Sequence, residues 1–127
     1  MTDIYTDGAC IGNPGPGGWG VVILNGNDNQ FLSGGEKNTT NNRMEIMAVI
    51  EGLKNVESTD LTVYSDSTYV INTITKGWKK NKNQDLWEIL EKLVSEKNVK
   101  WKWVKGHSGN EFNEKADQLA YGEAKKQ

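Results

Sequence analysis

Two short echoes constrain this chain more than anything else in it: Tyr5-Thr6-Asp7-Gly8 and, some sixty residues on, Tyr64-Ser65-Asp66-Ser67. Each closes a run that reads as a β-strand. Side chains alternate faces along a strand, so the tyrosine and aspartate of each copy share a face. The intervening sequence contains a helix pattern, as expected of a crossover connection, and that predicts parallel pairing of the two strands. Neighbouring strands lie ~4.8 Å apart, so two carboxylates would stand side by side at one sheet edge. Folding gains nothing from such a pair, whereas a bound cation would account for it.

The remaining elements follow from period and punctuation. Thr2 to Asp7 reads as the first strand, followed by a glycine-rich loop from Gly8 to Gly18 that holds both prolines. That loop lacks a Gly-Lys-Ser/Thr ending and a following helix pattern, so it is not a phosphate-binding P-loop. Trp19 to Leu24 and Gln30 to Gly34 read as strands joined by the hairpin chemistry of Asn25 to Asn29. Asn41 and Asn42 supply helix-start signals. Ile46, Val49, Ile50 and Leu53 then form an apolar stripe on a helix ending near Lys54. Leu61 to Ser65 is a strand, Thr68 to Thr75 a short helix, and Asp85 to Lys97 a longer helix with Leu86, Ile89, Leu90, Leu93 and Val94 as its buried stripe. Val99, Trp101 and Trp103 alternate with lysines on a last strand. Asn113 to Lys125 closes the chain as a helix buried through Ala116, Leu119 and Ala120. The expected fold is α/β: a mixed five-stranded sheet, an antiparallel meander plus parallel strands, flanked by helices. Ligands in such sheets gather at strand ends where the winding direction switches, which is where Asp7 and Asp66 are expected.

A length of 127 residues fits one domain spanning residues 1–127. Without a membrane-span pattern or a signal-like start, and with one cysteine, Cys10, the reading is a soluble cytoplasmic protein. The net charge of −2 argues against a nucleic-acid binder only on average. Residues 1–63 hold three Lys/Arg against eight Asp/Glu, a net of −5, while residues 64–127 hold twelve against nine, a net of +3. The basic excess lies mostly in Lys76–Lys82 and Lys100–Lys105, either solvated surface or a polyanion contact.

Two further acids border apolar stripes: Glu45 beside Ala48 and Val49, and Asp117 between Ala116 and Leu119. Alone, each is most simply an acid at the edge of a buried face. Together with Asp7 and Asp66 they form a set that suits Mg²⁺ or Mn²⁺, which prefer hard oxygen ligands. No Cys/His set for zinc exists, and the lone histidine, His107, has no nucleophile pattern around it. His107 stands in a Gly-flanked loop, and an unperturbed imidazole suits passing a proton or loosening a product.

These residues resemble type 1 ribonuclease H. The resemblance runs nearly end to end through Tyr5–Cys10, Gly12–Gly20, Thr39–Glu45, Ser65–Ser67 with Tyr69-Val70, Trp103–Gly109 and Asn113–Asp117. It implies a nuclease, a hydrolase that cuts the RNA strand of an RNA–DNA hybrid endonucleolytically. Two Mg²⁺ ions, with Mn²⁺ as substitute, would drive the reaction and leave 5′-phosphate and 3′-hydroxyl ends. The family's four metal-binding acids fall on Asp7, Glu45, Asp66 and Asp117, and its mobile-loop histidine on His107. Minor-groove contacts would map to Cys10, Asn13, Asn41 and Asn42, and to Thr68, where a glutamine is common. A phosphate pocket would use Thr40 and Asn83, with Asn38 in place of a frequent basic residue. The tryptophan-rich basic protrusion of many bacterial members is here shrunk to a loop in which Trp78 and the lysines would keep part of the DNA-strand contact. A monomer is the expected state. Integrase-like enzymes share the acid cluster but lack the Thr-Asn-Asn-Arg-Met-Glu start and the Gly-His-Ser-Gly loop.

Overall fold

The computed structural model describes residues 2–77, 79–106 and 108–127. Strands β1 (Thr2–Cys10), β2 (Gly15–Asn25) and β3 (Asp28–Thr39) form the meander, followed by helix α1 (Asn41–Lys54), strand β4 (Asp60–Ser65), helices α2 (Thr68–Lys76) and α3 (Gln84–Ser95), strand β5 (Asn98–Trp103) and helix α4 (Glu111–Lys126). The sheet order is β3-β2-β1-β4-β5. β1 pairs antiparallel with β2 and parallel with β4, and β4 pairs parallel with β5. The predicted order and the predicted switch of direction at β1 are both present.

One face of the sheet carries the larger core. Ile4, Val21, Ile23, Leu61 and Val63 meet Ile46, Val49, Ile50 and Leu53 of α1, with Val70 of α2 and Leu86, Trp87 and Leu90 of α3 completing the cluster. The opposite face is covered over the meander, where Ala116, Ala120 and Ala124 of α4 are buried. The small side chains of this last helix let its backbone lie close to the sheet.

Three expectations are corrected. Much of the stretch read as a glycine loop is strand: β1 runs on to Cys10, β2 begins at Gly15, and only Ile11–Pro14 connect them. Its glycines serve close packing, because a Cβ on Gly8 would lie 2.4 Å from the Glu45 nitrogen and one on Gly18 would lie 2.2 Å from the Ala120 oxygen. β3 extends to Thr39 rather than ending near Gly34. On α3, Ile89 is 47% exposed and Trp87, at 1%, takes its place in the core. A helical wheel puts Ile89 about 160° from Trp87, so a face centred between Leu86 and Trp87 leaves it out. Trp87 can be buried because its indole N–H donates to the Tyr69 hydroxyl at 3.0 Å, satisfying the one polar group it brings inside.

Candidate active site

The β1–β4 ladder ends at Thr6 opposite Ser65, so Asp7 and Asp66 are the residues that follow its last rung. Just below them the two tyrosines stack face to face, with centroids 4.4 Å apart and planes 7° from parallel. Glu45 enters from the second turn of α1. That helix is fixed at its start by Thr40, whose side-chain oxygen accepts from the Arg43 N–H at 3.2 Å. Gly8 allows the approach, since any side chain there would strike the Met44–Glu45 backbone.

Asp7, Glu45 and Asp66 each offer a carboxylate oxygen, and the three oxygens lie within 4.8 Å of one another. Asp7 and Glu45 are buried. Burial above all, then the charges of Glu45 and Asp66 and the neighbouring Asp117, pushes the Asp7 carboxyl up to about 10. Glu45 is held well above the usual carboxylate range, again chiefly by burial and next by Asp66; the Gly8 N–H and the Asp7 side chain ease that only in part. Three acids that disfavour one another's ionised form are costly to gather without a counter-charge. Glu45 Oε1 sharpens the point: it is wholly enclosed and has no hydrogen-bond partner among the described residues. A buried acceptor without a donor is normally destabilising, and a hard divalent cation bound among these oxygens would supply what is missing. Asp117 reaches the cluster from α4, close enough for its side chain to act on Asp7, although it is not part of the tight triad.

A second feature lies at the start of α1. A cavity of about 320 Å³ is lined by Asn13, Thr40, Asn41, Asn42, Lys82 and Asn83. Asn13 Oδ1 accepts from the Asn41 N–H at 2.8 Å, tying the short β1–β2 connection to the start of α1. The resemblance assigns Thr40 and Asn83 to one phosphate pocket, and both line this cavity. Asn83 is also a structural joint. It adopts a left-handed φ of 61° ahead of α3, its Oδ1 accepts from Arg43 Nη1 at 3.2 Å, and its Nδ2 donates to the Tyr69 hydroxyl at 3.3 Å. Arg43 in turn forks onto Asp85 at 2.9 and 3.1 Å, which holds the Asp85 carboxyl at about 2. Lys82 was missed as a lining residue. The signal available was the basic run Lys76–Lys82, and Lys82 makes no ion pair among the described residues.

Cys10 is half-buried, with its thiol 3.4 Å from the Thr39 carbonyl oxygen and 3.5 Å from that of Gly15. Asn42 and Thr68 are exposed. Between α2 and α3 there is no helix among the described residues, as expected for a shrunken protrusion. Lys80 there pairs with Glu91 at 2.9 Å, which leaves Lys79 and Lys82 as the freer cations. His107 and Trp78 lie outside the described residues. Sequence reasoning also passed over Gly106 and Trp103: a Cβ at Gly106 would come 2.8 Å from Asp66 Oδ2, and the Trp103 indole donates to the Asp66 carbonyl at 3.1 Å.

The family model for RNase H matches residues 1–125. The chain belongs to the ribonuclease H family. A ribonuclease H from Trichodesmium erythraeum is 52% identical, with 92% of this chain and 84% of the relative aligned. One from Francisella philomiragia is also 52% identical, over 91% and 86%. Among solved structures, the N-terminal RNase H domain of a Mycobacterium tuberculosis protein, fused to maltose-binding protein, superposes with a TM-score of 0.88 at 26% identity, over 98% of this chain and 94% of that one. LC11-RNase H1 in complex with an RNA/DNA hybrid does so with a TM-score of 0.83 at 26% identity, over 99% and 98%. Among the described residues no helix is long and apolar enough to cross a membrane.

Proposed function

We propose that residues 1–127 act as one catalytic domain, an endonuclease that hydrolyses the RNA strand of RNA–DNA hybrids. The observation that carries this reading is the triad of Asp7, Glu45 and Asp66 with its enclosed, unpartnered Glu45 oxygen. Their hard, clustered oxygens fit Mg²⁺, with Mn²⁺ as substitute; Asp117, beside Asp7, would complete the set for two ions. Bound there, the ions would supply the Lewis acidity that activates a water and stabilises the leaving oxygen. The protein's own part is to hold four acids where their repulsion is relieved by protonation when metal is absent and by a cation when it binds. It would also lay the hybrid across Cys10, Asn13, Asn41, Asn42 and Thr68, taken as its rim. Short polar side chains at that rim suit recognition of 2′-hydroxyls, the feature that tells RNA from DNA. Water adds to phosphorus as the bond to the 3′-oxygen breaks, leaving a 5′-phosphate and a 3′-hydroxyl. His107 serves as the group that passes a proton or loosens the product. Thr40 and Lys82, with Asn83 framing the cavity, would seat a phosphate of the DNA strand, and Trp78 with Lys79 would extend that contact.

The test uses end-labelled RNA–DNA hybrid, RNA duplex and DNA duplex, with Mg²⁺ and with EDTA. Cutting confined to the RNA of the hybrid and stopped by EDTA is expected, and Asp66→Asn should reduce it at least a thousandfold while keeping the circular-dichroism spectrum. An intact hybrid, or a cut DNA duplex, would refute the reading.

A further inference from the structure

Asp66 is the first residue beyond two ladders. β4 pairs with β1 as far as Ser65 opposite Thr6, and with β5 as far as Ser65 opposite Trp103. Past that point the chain turns into α2, whose N-cap is Ser67. The end of β5 nevertheless holds the turn. Val104 N–H donates to the Ser65 carbonyl at 2.9 Å, and the Trp103 indole N–H donates to the carbonyl of Asp66 itself at 3.1 Å. From below, the Ser65 hydroxyl accepts the Ser67 N–H at 3.0 Å, and Gly106 lies against the Asp66 carboxylate. The indole therefore acts as one more rung, made by a side chain where the backbone ladder has run out.

Burial does not explain that rung. Trp103 is 50% exposed, although a tryptophan on a strand gains most when its ring is covered. The position that leaves half of the ring in water is also the one that brings its single polar atom onto the Asp66 carbonyl. We infer that Trp103 is a positioning residue for Asp66: its indole N–H fixes the peptide of the strand exit, and through it the direction in which the Asp66 carboxylate faces the other acids. This rests on the proposed nuclease reading, because it takes Asp66 to be one of the working acids.

Two variants separate positioning from packing. Trp103→Phe keeps an aromatic ring but lacks the donor; Trp103→Leu loses both. The expected result is that Phe and Leu alike lower kcat on the hybrid about fivefold, the rate equivalent of one net hydrogen bond, with KM within twofold of wild type. Gly106→Ala, which crowds the carboxylate from the other side, should give the same kcat-selective loss. Independently of turnover, the Trp103 indole proton in the metal-free protein should exchange with solvent at least tenfold more slowly than that of an exposed tryptophan in a short peptide. Wild-type kcat in Trp103→Phe with a loss only in Trp103→Leu would reduce the residue to apolar packing and overturn the inference, as would unprotected exchange of its indole proton. A wild-type protein that fails to cut hybrid would instead overturn the nuclease reading, while the exchange measurement would still report on the rung.

Discussion

Without metal, stability should fall as pH rises, and Asp7 allows the effect to be worked out. Its carboxyl is pushed from 3.8 in a model compound up to about 10 in the fold, chiefly by burial and then by Glu45 and Asp66. Between pH 6 and 8 the folded protein thus keeps a proton on Asp7 that the unfolded chain has released. The native state binds one proton more, so unfolding free energy decreases with pH by about 1.4 kcal/mol per unit for this group. The stability is fully present below the unfolded value and is lost on the way up through the folded one. Over those two pH units the loss is about 3 kcal/mol, which for a domain of this size is roughly 10 °C in Tm. Asp7→Asn keeps the shape and removes the proton. Its metal-free slope should be shallower than wild type by about one proton, leaving whatever slope Glu45 contributes. Thermal melts in EDTA at pH 6, 7 and 8 read this directly, and saturating Mg²⁺ should raise the wild-type Tm most at pH 8. Equal slopes for wild type and Asp7→Asn would refute the argument, since the burial and crowding at Asp7 would then carry no titration cost.

Two other perturbations test different parts of the molecule. Gly8→Ala would place a methyl 2.4 Å from the Glu45 nitrogen and 2.5 Å from the Met44 carbonyl carbon. Overpacking against backbone should cost about 2 kcal/mol or more and lower kcat as Glu45 shifts, a result that thermal denaturation and steady-state kinetics would show together. Replacing both Lys79 and Lys82 with alanine should raise KM for the hybrid and reduce the slope of log affinity against log salt by about one to two, leaving kcat near wild type; an unchanged slope would make them ordinary surface lysines.

The topology was legible because its two governing signals are local: the switch from period two to period 3.6 at Asn41, and the Tyr-x-Asp echo at two strand ends. The same echo predicted that Asp7 and Asp66 would be neighbours. What could not be read was anything set by thickness. Gly8, Gly17 and Gly18 look like loop residues in a sequence, yet they sit in paired strands because helices press on them, and that pressure depends on elements far away in the chain. Trp87 was passed over for Ile89 because an indole ranks as a costly core residue until its partner is known, and the Tyr69 hydroxyl lies on another helix. Asn83 read as a phosphate contact, and its clamp between Arg43 and Tyr69 emerges only once α1, α2 and α3 meet.

The seat of the last helix has a wider consequence. A Cβ on Gly20 would lie 2.3 Å from the Ala116 carbonyl oxygen, and Ala116 is followed directly by Asp117. The height of α4 above the sheet is therefore set by a place where a side chain is missing. In an instrument this would be a reference surface: a blank face, with no function of its own, from which the position of a working part is measured. A methyl group added at Gly20, the cross-strand partner of Asp7, would press on the α4 backbone and lift Asp117 away from the other three acids. Loss of activity at such a position would be an error of alignment rather than of chemistry, and the chain has little slack to absorb it.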